Sequence, residues 1–202
     1  NEQLKNENLQ TRYNMLANQI SPHFLFNSLN SLSMLVREKS NDKALLYIDR
    51  LADTFRYMLQ SGQGELTTLS EELRFTEAYL YLLTIRYENK LFCDIRIEDR
   101  YRDWKLPVLS LQPLIENAVK HNSISRTKPL RIAIRTDDGT LVVSNPLIPK
   151  IDETTGTGIG LKNLSSRYLL LTSQRVRIIR TDDAFEVILP LIESPNPIKS
   201  LS

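Results

Sequence analysis

The feature that most constrains this chain is a change of character near residue 92. Residues 1 to about 92 contain only two glycines, Gly62 and Gly64, and read as helix almost throughout. Residues 93–191 mix β-branched runs with two helical segments and hold the remaining glycines. A helical stretch followed by strands and helices predicts an α+β fold, with helices over one face of a largely antiparallel sheet. Three regions follow: helices over 1–92, an α/β sandwich over 93–191, and a tail over 192–202.

In the first region, residues 1–18 read as a polar helix. A longer helix spans 21–60 with a candidate interruption at Ser40-Asn41-Asp42, a loop spans 60–68, and a second long helix spans 69–91. Two long antiparallel helices with a short link make a hairpin, which commonly pairs with a copy of itself, so a homodimer is expected. In the second region, strands are expected over 92–98, 130–136, 141–144, 175–180 and 185–189, with helices over 109–120 and 161–171. Asp137-Asp138-Gly139 is a strong hairpin turn signal. Residues 145–155, with two prolines and no periodicity, read as a loop.

Composition narrows the function. The 26 Lys and Arg nearly balance the 24 Asp and Glu, for a formal charge of +2. This argues against direct nucleic-acid binding, which draws on a strongly basic surface. One cysteine, Cys93, excludes an internal disulfide framework and multi-cysteine metal sites, and two histidines exclude a multi-histidine site. No run approaches the ~18–20 apolar residues of a membrane span, and a reduced cytoplasm suits the single thiol. Asn1 is not an initiator methionine, so the stretch is expected to belong to something larger.

Three segments could carry chemistry. In Gln19-Ile20-Ser21-Pro22-His23-Phe24-Leu25-Phe26-Asn27, the residues Leu25, Leu29, Leu32 and Val36 make one apolar stripe at about 100° per residue. His23 falls nearly opposite, beside Gln19, Asn27 and Asn30, on a face open to a partner domain; a solvated surface histidine would look the same. In the segment 111–122, Leu111, Leu114, Ile115 and Ala118 point inward, while Asn117 and His121 lie one turn apart on another flank. An amide oxygen suits Mg²⁺ and an imidazole suits a phosphate, although a wet helix edge carries such residues too. Gly156-Thr157-Gly158-Ile159-Gly160 opens a helix, where backbone N–H groups approach phosphate closely. It is neither a Walker A motif nor a dinucleotide fingerprint.

Together these segments resemble LytS-like sensor histidine kinases, whose ATP-binding half belongs to the GHKL superfamily. The stretch from Gln19 through His23 to Asn30 is similar to that family's phosphoacceptor box. Leu114-Ile115-Glu116-Asn117-Ala118-Val119-Lys120-His121 is similar to its N box, and Gly156 to Asn163 to its G box. Thr84-Ile85-Arg86-Tyr87-Glu88 resembles the Arg-aromatic segment that ends the second long helix. The resemblance implies that His23 accepts the γ-phosphoryl group of ATP, with Asn27 one turn on orienting the ring. It implies that Asn117 holds Mg²⁺, that Lys120 and His121 sit near the phosphates, and that Gly156, Gly158, Gly160 and Asn163 belong to the lid and phosphate loop. A neutral imidazole, with a reference pKa of about 6.5, is already a competent nucleophile.

The resemblance further implies transfer to an aspartate of a response regulator, LytTR-type in this family. It also implies a sensor or membrane region joined through residues 1–18, the stretch being the cytoplasmic portion of a membrane-anchored bacterial protein. Two departures stand out. GHKL ATPases place a water-activating glutamate four residues before the magnesium asparagine, and here that position is Pro113, which disfavours an ATPase. At the adenine-reading aspartate the chain has Asn145, in Val143-Ser144-Asn145-Pro146, without the glycines that follow in the superfamily. An amide can pair with adenine. The same change motivates the alternative of a degenerate kinase serving as a dimeric scaffold.

Overall fold

A computed structural model describes residues 22–61, 65–148 and 159–194. The helix expected over 1–18 lies outside them. Helix α1 (Pro22–Arg37) and helix α2 (Asn41–Gln60) replace one long helix. The interruption comes where Lys39 takes a left-handed backbone (φ 57) and the Ser40 N–H returns to the Leu35 carbonyl at 3.0 Å. Helix α3 (Leu69–Arg86) opens with a capping box. The Glu71 N–H donates to Thr68 Oγ1 at 3.2 Å, and the Thr68 N–H donates back to Glu71 Oε2 at 3.3 Å. The helix expected to reach 91 stops at Arg86 because Glu88 and Asn89 both adopt left-handed backbone (φ 49 and 59). The Asn89 N–H then closes on the Thr84 carbonyl at 3.0 Å.

Strand β1 (Leu66–Thr68) lies where a loop is expected and pairs antiparallel with strand β3 (Lys105–Pro107). Three-residue strands are too short to show a period. The main sheet joins β2 (Leu91–Arg96), β4 (Leu130–Asp137), β5 (Thr140–Pro146), β6 (Arg177–Arg180) and β7 (Ala184–Pro190) in the order β2-β4-β5-β7-β6. Only β2 and β4 are parallel, and helix α4 (Gln112–His121) lies in the crossover between them. The β4–β5 turn is the expected hairpin: Asp137 pairs with Thr140, and Asp138 and Gly139 both have positive φ (38 and 72). Helix α5 (Ile159–Thr172) follows β5. The architecture is thus the α+β fold expected, with a mixed, mostly antiparallel sheet.

One face of the sheet carries the core. Leu130, Ile132, Ile134, Leu141 and Leu189 are buried against Leu73, Phe75, Tyr79 and Leu83 of α3, Leu114, Ile115 and Ala118 of α4, and Leu164 and Tyr168 of α5. Each such aliphatic side chain contributes roughly 1.5–3 kcal/mol on burial. Met58 and α3 share this core with the sheet, so the stretches before and after residue 92 pack together. A smaller cluster of Leu35, Ala44, Tyr47 and Leu82 joins α1, α2 and α3.

The apolar stripe of α1 faces mostly outward. Leu25, Leu29 and Val36 are exposed, and only Leu32 of that set packs against the small cluster. The buried residues are Ser28, Ser31 and Leu35. The serines leave room for Tyr47, whose phenol reaches both, and Ser28 Oγ donates to the Phe24 carbonyl at 2.8 Å. None of the described helices is long and apolar enough to cross a membrane.

Candidate active site

His23 is the second residue of α1 and is exposed. Its neighbour Phe24 is half-buried, with its ring 5.5 Å from that of Tyr79 and 5.9 Å from that of Phe55. Phe24 therefore pins the start of α1 to α2 and α3 and leaves His23 at a cavity wall. That cavity, about 450 Å³, is lined by His23 together with Tyr79 and Arg86 of α3 and Glu116 and Lys120 of α4. Asn27 is half-buried and does not line it; its Nδ2 is buried without a hydrogen-bond partner.

Helix α4 is positioned from below by a buried carboxylate. Glu72 on α3 is fully buried, and its Oε2 accepts from the Leu109 N–H at 2.9 Å and the Tyr57 hydroxyl at 3.0 Å. Its Oε1 accepts from the Leu111 N–H at 3.0 Å. Burial outweighs these bonds and raises the Glu72 pKa. Leu109 has a left-handed backbone (φ 55), and its carbonyl takes a 3.0 Å bond from Arg167 Nη2 of α5. Glu72 and Arg167 together hold the turn that launches α4. Sequence reading missed Glu72, although a charged residue amid Leu69, Leu73, Thr76 and Leu80 of one helix face was a visible signal.

On α4, Glu116 and Lys120 are exposed and Asn117 and His121 half-buried. Glu116 Oε1 accepts from the Tyr79 hydroxyl at 3.0 Å and from Gln112 Nε2 at 2.9 Å. Burial, aided by the Glu116 charge, raises the Tyr79 pKa well above the usual phenol value. At the far end Asn122, which sequence reading left without a role, is buried. Its Nδ2 donates to the Ala118 carbonyl at 2.8 Å, and its Oδ1 accepts from the Ile148 N–H at 2.6 Å. This clamp ties the end of α4 to the chain leaving β5, where Asn145 lies. Asn145 is buried, and its Nδ2 donates to the Pro146 carbonyl at 2.8 Å.

A second cavity, about 730 Å³, lies between α4 and α5 and is lined by Gln112, Pro113, Glu116, Gly160, Asn163 and Arg167 among others. A Cβ on Gly160 would meet Pro113 Cβ at 3.9 Å, an ordinary contact. Gly156 and Gly158 lie outside the described residues. The structure thus brings Gly160 and Asn163 to the α4 flank, and Glu116 lines both cavities.

No group of three or more His, Cys, Asp or Glu among the described residues could cage a metal. The donor set fits Mg²⁺ in a different way. Asn117 offers one neutral amide oxygen, and magnesium commonly takes one or two protein ligands with the rest from phosphates and water. Lys120, four residues from Glu116 and on the same flank, brings a positive charge to the His23 cavity.

Comparison with known proteins identifies the family. The histidine kinase family profile matches residues 11–91. The sensor histidine kinase/phosphatase LytS of Staphylococcus aureus strains Mu50 and N315 is 35% identical over 169 residues, covering 75% of this chain and 29% of the relative. The chain therefore spans under a third of the length of these curated relatives. Among solved structures, the cytoplasmic segment of histidine kinase QseC aligns with a TM-score of 0.47 at 15% identity, over 76% of this chain and 95% of that one. The catalytic domain of histidine kinase ThkA aligns at 0.44 and 16%, over 64% and 98%. On the family profile and the 35% identity to LytS, this chain belongs to the histidine kinases and is LytS-like.

Proposed function

We propose that this chain is the catalytic core of a sensor histidine kinase. It phosphorylates itself on His23 from ATP and passes the phosphoryl group to an aspartate of a response regulator, a LytTR-type one by family resemblance. The observation that carries this reading is the exposed His23 sharing a cavity with Lys120 and Glu116, on the helix that also bears Asn117. Phosphoryl transfer asks a protein for positioning and charge neutralisation more than for covalent help. Here Phe24 positions the imidazole, Asn117 would hold Mg²⁺, and Lys120 and His121 would meet the phosphates. Bound magnesium supplies the charge that offsets the nucleotide's phosphates. Gly156, Gly158, Gly160 and Asn163 would form the lid and phosphate loop, and Asn145 would read adenine through its amide oxygen. Asn27, one turn on from the phosphoacceptor, would orient its ring.

In domain terms, residues 1–92 serve dimerisation and phosphotransfer, 93–191 bind ATP, and 192–202 are a tail. The exposed Leu25, Phe26, Leu29 and Val36 of α1, with Leu45, Leu46 and Ile48 of α2, support a homodimer built on the helices. As part of a longer LytS-like protein, the chain would be the cytoplasmic portion behind a sensor region in the membrane. Pro113, at the position of a water-activating glutamate, supports a kinase over an ATPase. Incubation with γ-labelled ATP and Mg²⁺ tests the reading. An acid-labile label that His23→Gln abolishes is expected; phosphate release without a label would point to the ATPase, and absent nucleotide binding to the scaffold.

A further inference from the structure

A histidine that attacks phosphorus leaves its other ring nitrogen carrying a proton and a growing positive charge. A carboxylate facing that nitrogen stabilises it. The position after His23 is Phe24, and α1, PHFLFNSLNSLSMLVR, contains no Asp or Glu at all. An acid serving His23 must therefore come from another element. Of the residues lining the His23 cavity, Glu116 is the only carboxylate among those described. It is also held for such a role. The Tyr79 hydroxyl at 3.0 Å and Gln112 Nε2 at 2.9 Å both donate to Oε1, and among the described residues Oε2 has no hydrogen bond. Tyr79 is in turn the ring against which Phe24 packs at 5.5 Å, so His23 and Glu116 are located by the same side chain. Because Glu116 also lines the α4–α5 cavity beside Gly160 and Asn163, it stands between the phosphoacceptor and the glycine-bearing helix.

We propose that Glu116 is the acid that serves His23: it accepts the imidazole N–H, fixes which nitrogen is unprotonated, and takes the ring proton as that nitrogen bonds to phosphorus. The step balances. One N–P bond forms, the bond from the γ-phosphorus to the β,γ-bridging oxygen breaks, its electron pair leaves with ADP, and the proton passes to the carboxylate. The proposal rests on the kinase reading above.

The test is self-phosphorylation of the full chain over a range of Mg-ATP concentrations, with Glu116→Gln, Glu116→Asp and His23→Gln beside the unchanged protein. Glutamine can still accept from Tyr79 and Gln112, so the tether survives while the proton acceptor is lost. Glu116→Gln is expected to lower kcat about 10²-fold with KM for ATP unchanged, and Glu116→Asp to recover part of it. Wild-type kcat in Glu116→Gln, or a loss confined to KM, would overturn the proposal. Should Glu116→Gln fail to fold, Glu116→Asp decides: lowered kcat at unchanged KM supports the role, and wild-type kcat removes it. A label that persists in His23→Gln would sink the kinase reading instead, whatever the Glu116 variants do.

Discussion

Replacing Glu72 with alanine should destabilise the protein by about 4 kcal/mol, because it removes the acceptor of two backbone N–H groups. The side chain is fully buried and takes the Leu109 and Leu111 N–H groups at 2.9 and 3.0 Å, along with the Tyr57 hydroxyl. Each buried backbone N–H left unsatisfied costs about 1–3 kcal/mol, and the two together set the figure. Half-buried Tyr57 can turn toward solvent and adds less. For a chain of this size the loss lowers the melting temperature by about 10 °C. Urea denaturation and thermal unfolding of Glu72→Ala measure it. A loss under about 1 kcal/mol would refute the claim that this carboxylate holds the turn before α4. Titration supplies a second check. Burial raises the Glu72 pKa from the ordinary 4.5, so the fold favours the neutral acid. That contribution is complete below pH 4.5 and fades as pH rises through the raised value. Glu72→Gln, always neutral, should therefore gain on the wild type as pH rises from about 4 to 7. A wild type that gains on the variant over that range would contradict the assignment.

Three further outcomes follow from the same geometry. Burial, with the charge of Asp94, pushes the Cys93 thiol up to about 12; a thiol reagent at pH 8 should react with the native protein at least about 100-fold more slowly than with the denatured one. Comparable rates would show that the strand is open there. Leu29→Glu, on the exposed apolar face of α1, should turn a dimer into a monomer in sedimentation equilibrium at micromolar concentration. A wild type already monomeric there would remove the dimer from the account. Because His23 and α4 of one chain line one cavity, mixed dimers of His23→Gln and Asn117→Ala chains should stay unlabelled; strong labelling of the Asn117→Ala chain would mean transfer between subunits.

How far the sequence foretold this molecule differs from element to element. The hairpin at Asp138-Gly139 was legible because a two-residue turn with positive φ at both positions selects those residues. The end of α3 was not, because Glu88 and Asn89 take left-handed backbone without a glycine to announce it. The stripe of Leu25, Leu29 and Val36 was legible as a stripe, but its exposure was not. Periodicity finds an apolar face but not what covers it, and here serines pack inward while leucines face out. His23, Asn117 and Gly160 were singled out by their motifs, and the structure puts His23 at one cavity wall and Gly160 at another. Glu72 and Asn122, which set where the asparagine-bearing helix begins and ends, act through contacts 39 and 26 residues distant, and no local pattern reveals such partners.

The central claim is that His23 accepts a phosphoryl group from a nucleotide held by the other half of the same chain. The measurement that meets it most directly is localisation of the phosphoryl group by electron-transfer fragmentation of peptides, after brief incubation with Mg-ATP and digestion at alkaline pH. The account predicts a single phosphorylated site, on the imidazole of His23. A phosphoryl group on His121, on a hydroxyl side chain, or nowhere in a chain that binds ATP would contradict it.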